Sequence, residues 1–365
     1  MLTSMLKNTI IKDLFSFKPP GNDRLGWIDY AKGIAIILVV YRHVEFGLKK
    51  SGVPLSQWIV DLNDMLYSFR MPLFFLLSGL FFEKGIARKG SKGFLLSRVN
   101  TLLYPYVLWA LIQITLQIYF STVANARRSP SDYLNILIQP RNLDQLWYLF
   151  ALFNVTLLYF LTTRLFGGRK MPQLVLALIL LSVAPFVKPV STFYDIALHY
   201  IFFCIGNMTA NFFFSGKTQE MLSSPYGPVS LLPLFVVCQV YFLHHQQMNL
   251  FLYAAVALTG SLFVIMLSFQ LAKYNALPVL RTFGHYSLYI YLLHVPIVSL
   301  IRYFLLGTVM AEYVTVLLVL LIFIAIFFSV IVYRCCMLMR LGGLFKGPFG
   351  ESVQKRRIVT HKTTI

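Results

Sequence analysis

Charge is scarce in this chain: 12% of its 365 residues are Asp, Glu, Lys or Arg and 58% are hydrophobic, whereas a soluble domain is about a quarter charged. That shortage excludes a water-soluble globular protein. Acid is scarcer than base, 13 residues against 32, for a formal charge of +19. In a chain this apolar the excess belongs to cytoplasmic loops and anionic lipid, not to nucleic acid. The four cysteines, Cys204, Cys238, Cys335 and Cys336, lack CxxC or Cys/His spacing. No disulfide framework or zinc site is assigned to them, and they read as small buried apolar residues. The "HHQQ" stretch at 244–247 has no matched ligands either, so no metal site is assigned. The first 23 residues lack an uninterrupted apolar core followed by a cleavage site; with Lys7, Lys12, Lys18 and Pro19-Pro20 they read as a cytoplasmic lead-in and not a signal peptide. No internal repeat of the transporter kind is visible.

What the chain does have is apolar runs near the length that crosses a bilayer. They fall at 26–46, 62–82, 99–120, 146–166, 172–187, 193–214, 228–243, 250–272, 283–305 and 312–336. The expectation is an all-α, polytopic membrane protein of about ten transmembrane helices. Those at 172–187 and 228–243 are the shortest. With the N-terminus inside, 22 of the 32 Lys and Arg fall on the inner side and 7 outside, with Lys32, Arg42 and Arg70 within spans. That imbalance predicts an even number of spans and both termini in the cytoplasm. The chain divides into a cytoplasmic N-terminal segment (1–23), a membrane domain (24–340) and a basic cytoplasmic tail (341–365) expected to be solvated or lipid-facing. The longest outer loop, 121–145, is polar, turn-rich and too small for a domain.

The first run, "GWIDYAKGIAIILVVYRHVEF" (26–46), carries Asp29, Lys32, Arg42, His43 and Glu45. Each charge at mid-bilayer costs roughly 2.5–3.5 kcal/mol on translocon scales, so these side chains face protein or a wet cavity. Lys32 and His43 are eleven positions apart, within about 20° of whole turns, so they share a face about 16 Å apart along the axis. Gly33 and Ala35 allow a close helix contact. An imidazole titrating near neutrality suits general-base work, with a structural hydrogen bond as the alternative. Lys32 otherwise snorkels, and Arg42 and Glu45 otherwise form a local ion pair. Between Lys32 and His43 the shared face, including Ile36 and Val39, is expected to line a hydrated path.

"GWIDYAKGIAIILVVYRHV" resembles the first helix of the membrane acyltransferase-3 family, whose pattern is a basic residue, ten residues, then His. Lys32 and His43 match both positions. "SFRMPLFFLLSGLFF" (68–82), "LWYLFALF" (146–153) and "SLYIYLLHVP" (287–296) resemble three further family motifs, in family order. The resemblance implies an integral membrane O-acyltransferase of sugars and related glycans. Acetyl-CoA would be the acyl-donor substrate and no permanently bound cofactor would be needed. The acceptor would be a polysaccharide or lipid-linked oligosaccharide, with glycan-assembly proteins as partners and the bacterial inner membrane as the location. It implies a catalytic His43, acting as base or transient acyl carrier, together with a catalytic Lys32, and Lys32 and Arg98 at the donor, orienting it or stabilising developing negative charge. Arg42, Arg70 and His294 are weaker acceptor-side or pore-lining candidates. Two positions depart from the family: Thr101 stands where relatives carry a second Arg after Arg98, and Arg70 stands where relatives often carry His. Tyr286, Tyr289 and Tyr291 either pack or line a polar path. A glycan-precursor transporter or flippase is the rival reading of the same in-membrane charges.

Overall fold

The structure is a computed structural model describing residues 25–120, 128–308 and 312–349. The N-terminal segment 1–23, the loop tip 121–127 and the last part of the basic tail, 350–365, lie outside the described residues. Within them the chain is helical, with no β-strand.

Every apolar run forms helix. The first is α1, Gly26–Lys50, with Asp29 in its first turn and Lys49 and Lys50 in its last, each suited to the helix dipole. The run read at 62–82 divides into α2, Gln57–Met65, and α3, Arg70–Leu80, and α3 starts at Arg70, two residues before Pro72, a residue suited to a helix's first turn. The third pass is longer than expected: α4, Phe82–Arg98, breaks at Gly90 (φ 67°), then continues through a π-turn, Val99–Leu103, into α5, Tyr104–Tyr119. There follow α6, Trp147–Leu165; α7, Lys170–Val183; α8, Ser191–Met208; α9, Ala210–Phe214; α10, Gly216–Leu222; and α11, Tyr226–His244. The chain ends with α12, Leu250–Lys273; α13, Pro278–His285; α14, Ser287–Leu305; and α15, Val314–Leu338.

Among the described residues seven helical stretches are long and apolar enough to cross a membrane: Phe82–Tyr119, Asp144–Leu165, Lys170–Val187, Tyr226–His244, Leu250–Lys273, Ser287–Leu305 and Val314–Leu338. The protein is a multi-pass membrane protein. The three remaining runs, at α1, α2–α3 and α8, do not meet that measure. They are the central ones: α1 touches α3 and α12 to α15, and α3 packs along α8.

Two glycine contacts set this centre. A Cβ on Gly33 would lie 2.0 Å from the Leu280 carbonyl oxygen, and one on Gly284 only 1.7 Å from that of Asp29, so α1 and α13 meet backbone to backbone. Gly79 and Gly206 do the same for α3 and α8, each 2.1 Å from a carbonyl oxygen of the other helix. These are small-residue interfaces of the kind that let membrane helices approach closely.

Two segments, the outer loop and the start of the tail, are built into the bundle. Residues 128–146 form three 3-10 turns that bury Ile136, Leu143 and Leu146. Tyr106 donates to the Ile136 carbonyl (2.5 Å), and Gln117 donates to Asp144 (2.9 Å). The first turn starts with a capping box between Ser129 and Asp132. The Ser129 backbone N–H holds the Asp132 carboxyl below its usual range. Residues 341–349 likewise dock and are not wholly solvated. Phe345 is buried, Trp109 donates to the Leu344 carbonyl (2.8 Å), and Asn100 exchanges two hydrogen bonds with the Phe349 backbone (2.5 and 3.1 Å). The first part of the tail docks because it is "LGGLFKGPF", mostly apolar, with its basic cluster beyond it.

The expected hydrated face of α1 is filled. Ile36 and Val39 are 0% and 4% exposed and belong to the apolar core.

Candidate active site

At one end of the bundle α1 and α14 bring two imidazoles together: the rings of His43 and His294 lie 5.1 Å apart, edge to face. His294 is fully buried, and its Nδ1 sits 2.8 Å from the Ile290 carbonyl oxygen. A carbonyl only accepts, so Nδ1 carries the proton and Nε2 carries the lone pair. Among the described residues Nε2 has no hydrogen-bond partner. His43 is half-buried beside it, one turn from a charged cluster.

In that cluster Arg42 contacts Glu45 (3.4 Å) and Asp64 (3.5 Å), and Asn63 donates to Glu45 (3.0 Å). Arg42 therefore holds α1 to α2 as well as forming the local pair that its spacing suggests. Arg70 is 2% exposed; its Nε donates to the Leu66 carbonyl (2.8 Å), an Nη2 hydrogen goes to the Asn63 carbonyl, and Nη1 has no partner among the described residues. A buried guanidinium with an unmet N–H, within electrostatic reach of His43, is a preformed donor for developing negative charge.

Rings lead away from the pair. Tyr291 lies 6.2 Å from His294 and 5.5 Å from Tyr148, centroid to centroid. Arg98 lies within electrostatic reach of Tyr148, with its guanidinium 5.0 Å from the Phe94 ring centre. Tyr291 thus joins the site, whereas Tyr289 stacks on Tyr333 (3.5 Å) and Tyr286 accepts from Arg334 (3.1 Å). Arg98 is the last residue before the π-turn. Its neighbour Lys89 donates to Ser97 (2.6 Å). Thr101, in the second-Arg position, donates its hydroxyl to the Ser97 carbonyl (2.7 Å) and offers no cation. Lys32 is half-buried where α1 meets α13, three turns of helix, about 16 Å, from His43. The structure therefore brings together His43, His294, Arg70 and Arg42, and keeps Lys32 and Arg98 apart from them.

A family profile described as an acyltransferase domain, acyltransferase-3, matches residues 25–334. The chain belongs to the acyltransferase-3 family. It is an acyltransferase, and the four quoted motifs all fall within the matched range. It is also similar to the nodulation protein NolL of Mesorhizobium japonicum, 28% identical over 190 residues, covering 52% of this chain and 48% of NolL. The match thus spans about half the length of that relative. No solved structure matches the chain.

For this acyltransferase, residue-by-residue reading missed a second polar group on the His43 side. Arg141 clasps Asp195 through Nε (2.7 Å) and Nη2 (2.5 Å), and its guanidinium lies over Trp147 (4.6 Å) and Tyr194 (5.1 Å). Burial pushes the Arg141 pKa down, and the Asp195 carboxylate more than offsets that, leaving it above the usual arginine value. His199 stacks on Phe75 (4.4 Å), with Nδ1 bonded to the Asp195 carbonyl (2.8 Å). The available signal was the i,i+4 spacing of Asp195 and His199 inside an apolar run, which puts both on one helix face.

Proposed function

We propose that this acyltransferase is a ten-span O-acetyltransferase of the bacterial inner membrane, with both termini cytoplasmic. It moves an acetyl group from acetyl-CoA to a sugar hydroxyl of a surface or secreted polysaccharide or its lipid-linked precursor. The observation that carries the reading is the His43–His294 pair, 5.1 Å between rings, beside the unmet N–H of buried Arg70. His43 takes the proton of the acceptor hydroxyl, whose oxygen bonds to the acetyl carbon as the carbon–sulfur bond breaks. The proton returns to the departing thiolate, so the products are an ester and coenzyme A. His294, with its proton fixed on Nδ1, keeps its Nε2 lone pair open beside His43 and accepts an N–H once the His43 ring turns towards it. Arg70 donates to the acetyl oxygen as negative charge develops. Arg98 and Lys32 hold donor phosphates or the thioester end, supported by the inside-positive count that puts their end of the bundle in the cytoplasm. Because His43 lies about 16 Å from Lys32, the pantetheine arm enters the bundle, and from there the acetyl group passes either directly to the acceptor oxygen or first to His43, as an acyl-imidazole formed with release of the thiolate.

The test is stoichiometric. Purified protein given acetyl-CoA and the glycan should release one coenzyme A per acetyl ester found by mass spectrometry. A transporter would move glycan or donor across a vesicle with no ester formed, and that outcome would overturn the reading. Rapid quench with acetyl-labelled donor separates the two routes, since only the relay leaves label on the protein.

A further inference from the structure

A cavity of 190 Å³ opens beside the Arg141–Asp195 pair, where the starts of α3, α6, α8 and α12 meet the end of α11. Its walls include the rings of Tyr67, Trp147, Tyr194 and Tyr253 together with Arg141 and His199. The volume is below the roughly 300–1,000 Å³ of pockets for drug-sized ligands, so it suits one small ring and not a chain of them.

Its polar groups are of a particular kind. Arg141 spends its Nε hydrogen and one Nη2 hydrogen on a single oxygen of Asp195, which is 0% exposed, so the guanidinium keeps its two Nη1 hydrogens and the second Nη2 hydrogen to give and its charge is already balanced. His199 has its proton committed at Nδ1 to the Asp195 carbonyl, so its other nitrogen accepts. The remaining Arg141 N–H groups, the accepting nitrogen of His199, the Gln246 amide and the Tyr67 and Tyr194 hydroxyls, with flat aromatic faces and a charge-balanced Arg141–Asp195 pair, describe a site for an uncharged, hydroxyl-bearing ring with apolar C–H faces. A carboxylate entering here would meet a guanidinium already neutralised, with the buried Asp195 charge behind it, and like charges at short range disfavour it. Tyr67 connects this cavity to the histidine pair, because Arg42 and Arg70 each lie 5.6 Å from its ring centre.

We propose that this cavity is an acceptor subsite for one neutral pyranose unit, gripped by Arg141 and His199 and stacked on Trp147, and that the closed Arg141–Asp195 pair discriminates against uronic acids. This rests on the glycan O-acetyltransferase reading.

The experiment titrates the full chain in nanodiscs, without acetyl-CoA, with methyl β-glucoside, methyl N-acetylglucosaminide and methyl glucuronide, read by saturation-transfer NMR. Neutral glycosides should bind and the glucuronide at least roughly tenfold more weakly. His199→Phe keeps the stacking on Phe75 and removes the acceptor, and should weaken neutral binding by roughly tenfold. Trp147→Ala should weaken it at least as much. Asp195→Asn leaves Arg141 uncompensated and should move the preference towards the glucuronide. Equal binding of acid and neutral sugar, or neutral binding unchanged in His199→Phe and Trp147→Ala, overturns the proposal. The two readings fail separately. If acetyl esters form but the acceptor KM is unmoved by the cavity variants, the subsite is wrong. If neutral sugar binds as described and no ester forms from acetyl-CoA, the subsite stands and the acetyl-transfer reading falls.

Discussion

The helices apolar enough to cross a membrane unaided and the helices that carry the chemistry are largely different helices. α11 buries only Gln239 and Phe242, and α7 only Gln173, Ala177 and Leu181; the rest of each is at least partly exposed and, in a bilayer, turned to lipid. α1, α3 and α8 are less apolar, and they bury charged groups, Glu45, Arg70 and Asp195, at 1%, 2% and 0% exposure. Polar groups at that depth are tolerated because protein surrounds them and supplies their partners. In this fold the most deeply buried charges sit on helices that fall short of the crossing measure in length or composition, while His294 and Arg98 sit on helical stretches that meet it.

The contrast can be sharpened or broken by substitution. His43→Ala should lower acetyl transfer by about 10²–10⁴-fold, with the protein present in the membrane at normal abundance; turnover within a few-fold of the parent would remove His43 from the mechanism. Gly206→Leu, which drives a side chain into the Leu76 backbone, should destabilise by about 3 kcal/mol, the upper end for overpacking. Thermal unfolding in detergent would register it, and an unchanged midpoint would mean that α3 and α8 do not meet as described. Arg98→Ala removes one charge-assisted contact, about 1.5–3 kcal/mol, and should raise the KM for acetyl-CoA by roughly 10–150-fold with little change for the acceptor. An unaltered donor dependence assigns the phosphates elsewhere. Asn100→Ala should cost about 1 kcal/mol through its lost bonds to Phe349, seen as faster hydrogen exchange in residues 341–349. At the perimeter, Val237→Ala, at a side chain 64% exposed, should change stability by less than about 0.5 kcal/mol, since lipid replaces what is lost. A large effect there would show that another protein covers α11.

The same contrast explains what the sequence made legible. Perimeter helices advertise themselves by apolar length, and all the runs became helix. His43 was visible because an imidazole and a lysine on one face of an apolar run have a recognisable spacing, and Gly33 because close contact needs a small residue. His199 and Asp195 sit in "YDIALHYIFF", where each reads singly as a buried polar residue; their meaning comes from Arg141, more than fifty positions earlier in a loop. That loop reads only as polar, turn-rich and too small for a domain, which says nothing of its burial. "SPSD" at 129–132 is a helix-start signal that was available, but the burial of Ile136 depends on the side of α5 it meets. The split of 62–82 was marked by "FRMP", a charge and a proline that begin a helix and do not continue one. The packing of Ile36 and Val39 was not legible, because the same face serves equally for water or for neighbouring side chains until α12 to α15 are in place.

The docked end of the chain sets an order of manufacture. Asn100 lies 249 residues before its partner Phe349. At about 5–20 residues per second of synthesis, its side chain waits roughly 12–50 seconds for that partner. During that interval the π-turn that follows Arg98 lacks the strap that braces it. That brace is therefore in place only after the last helix has left the ribosome, so the turn beside Arg98 is among the last parts of the bundle to be finished.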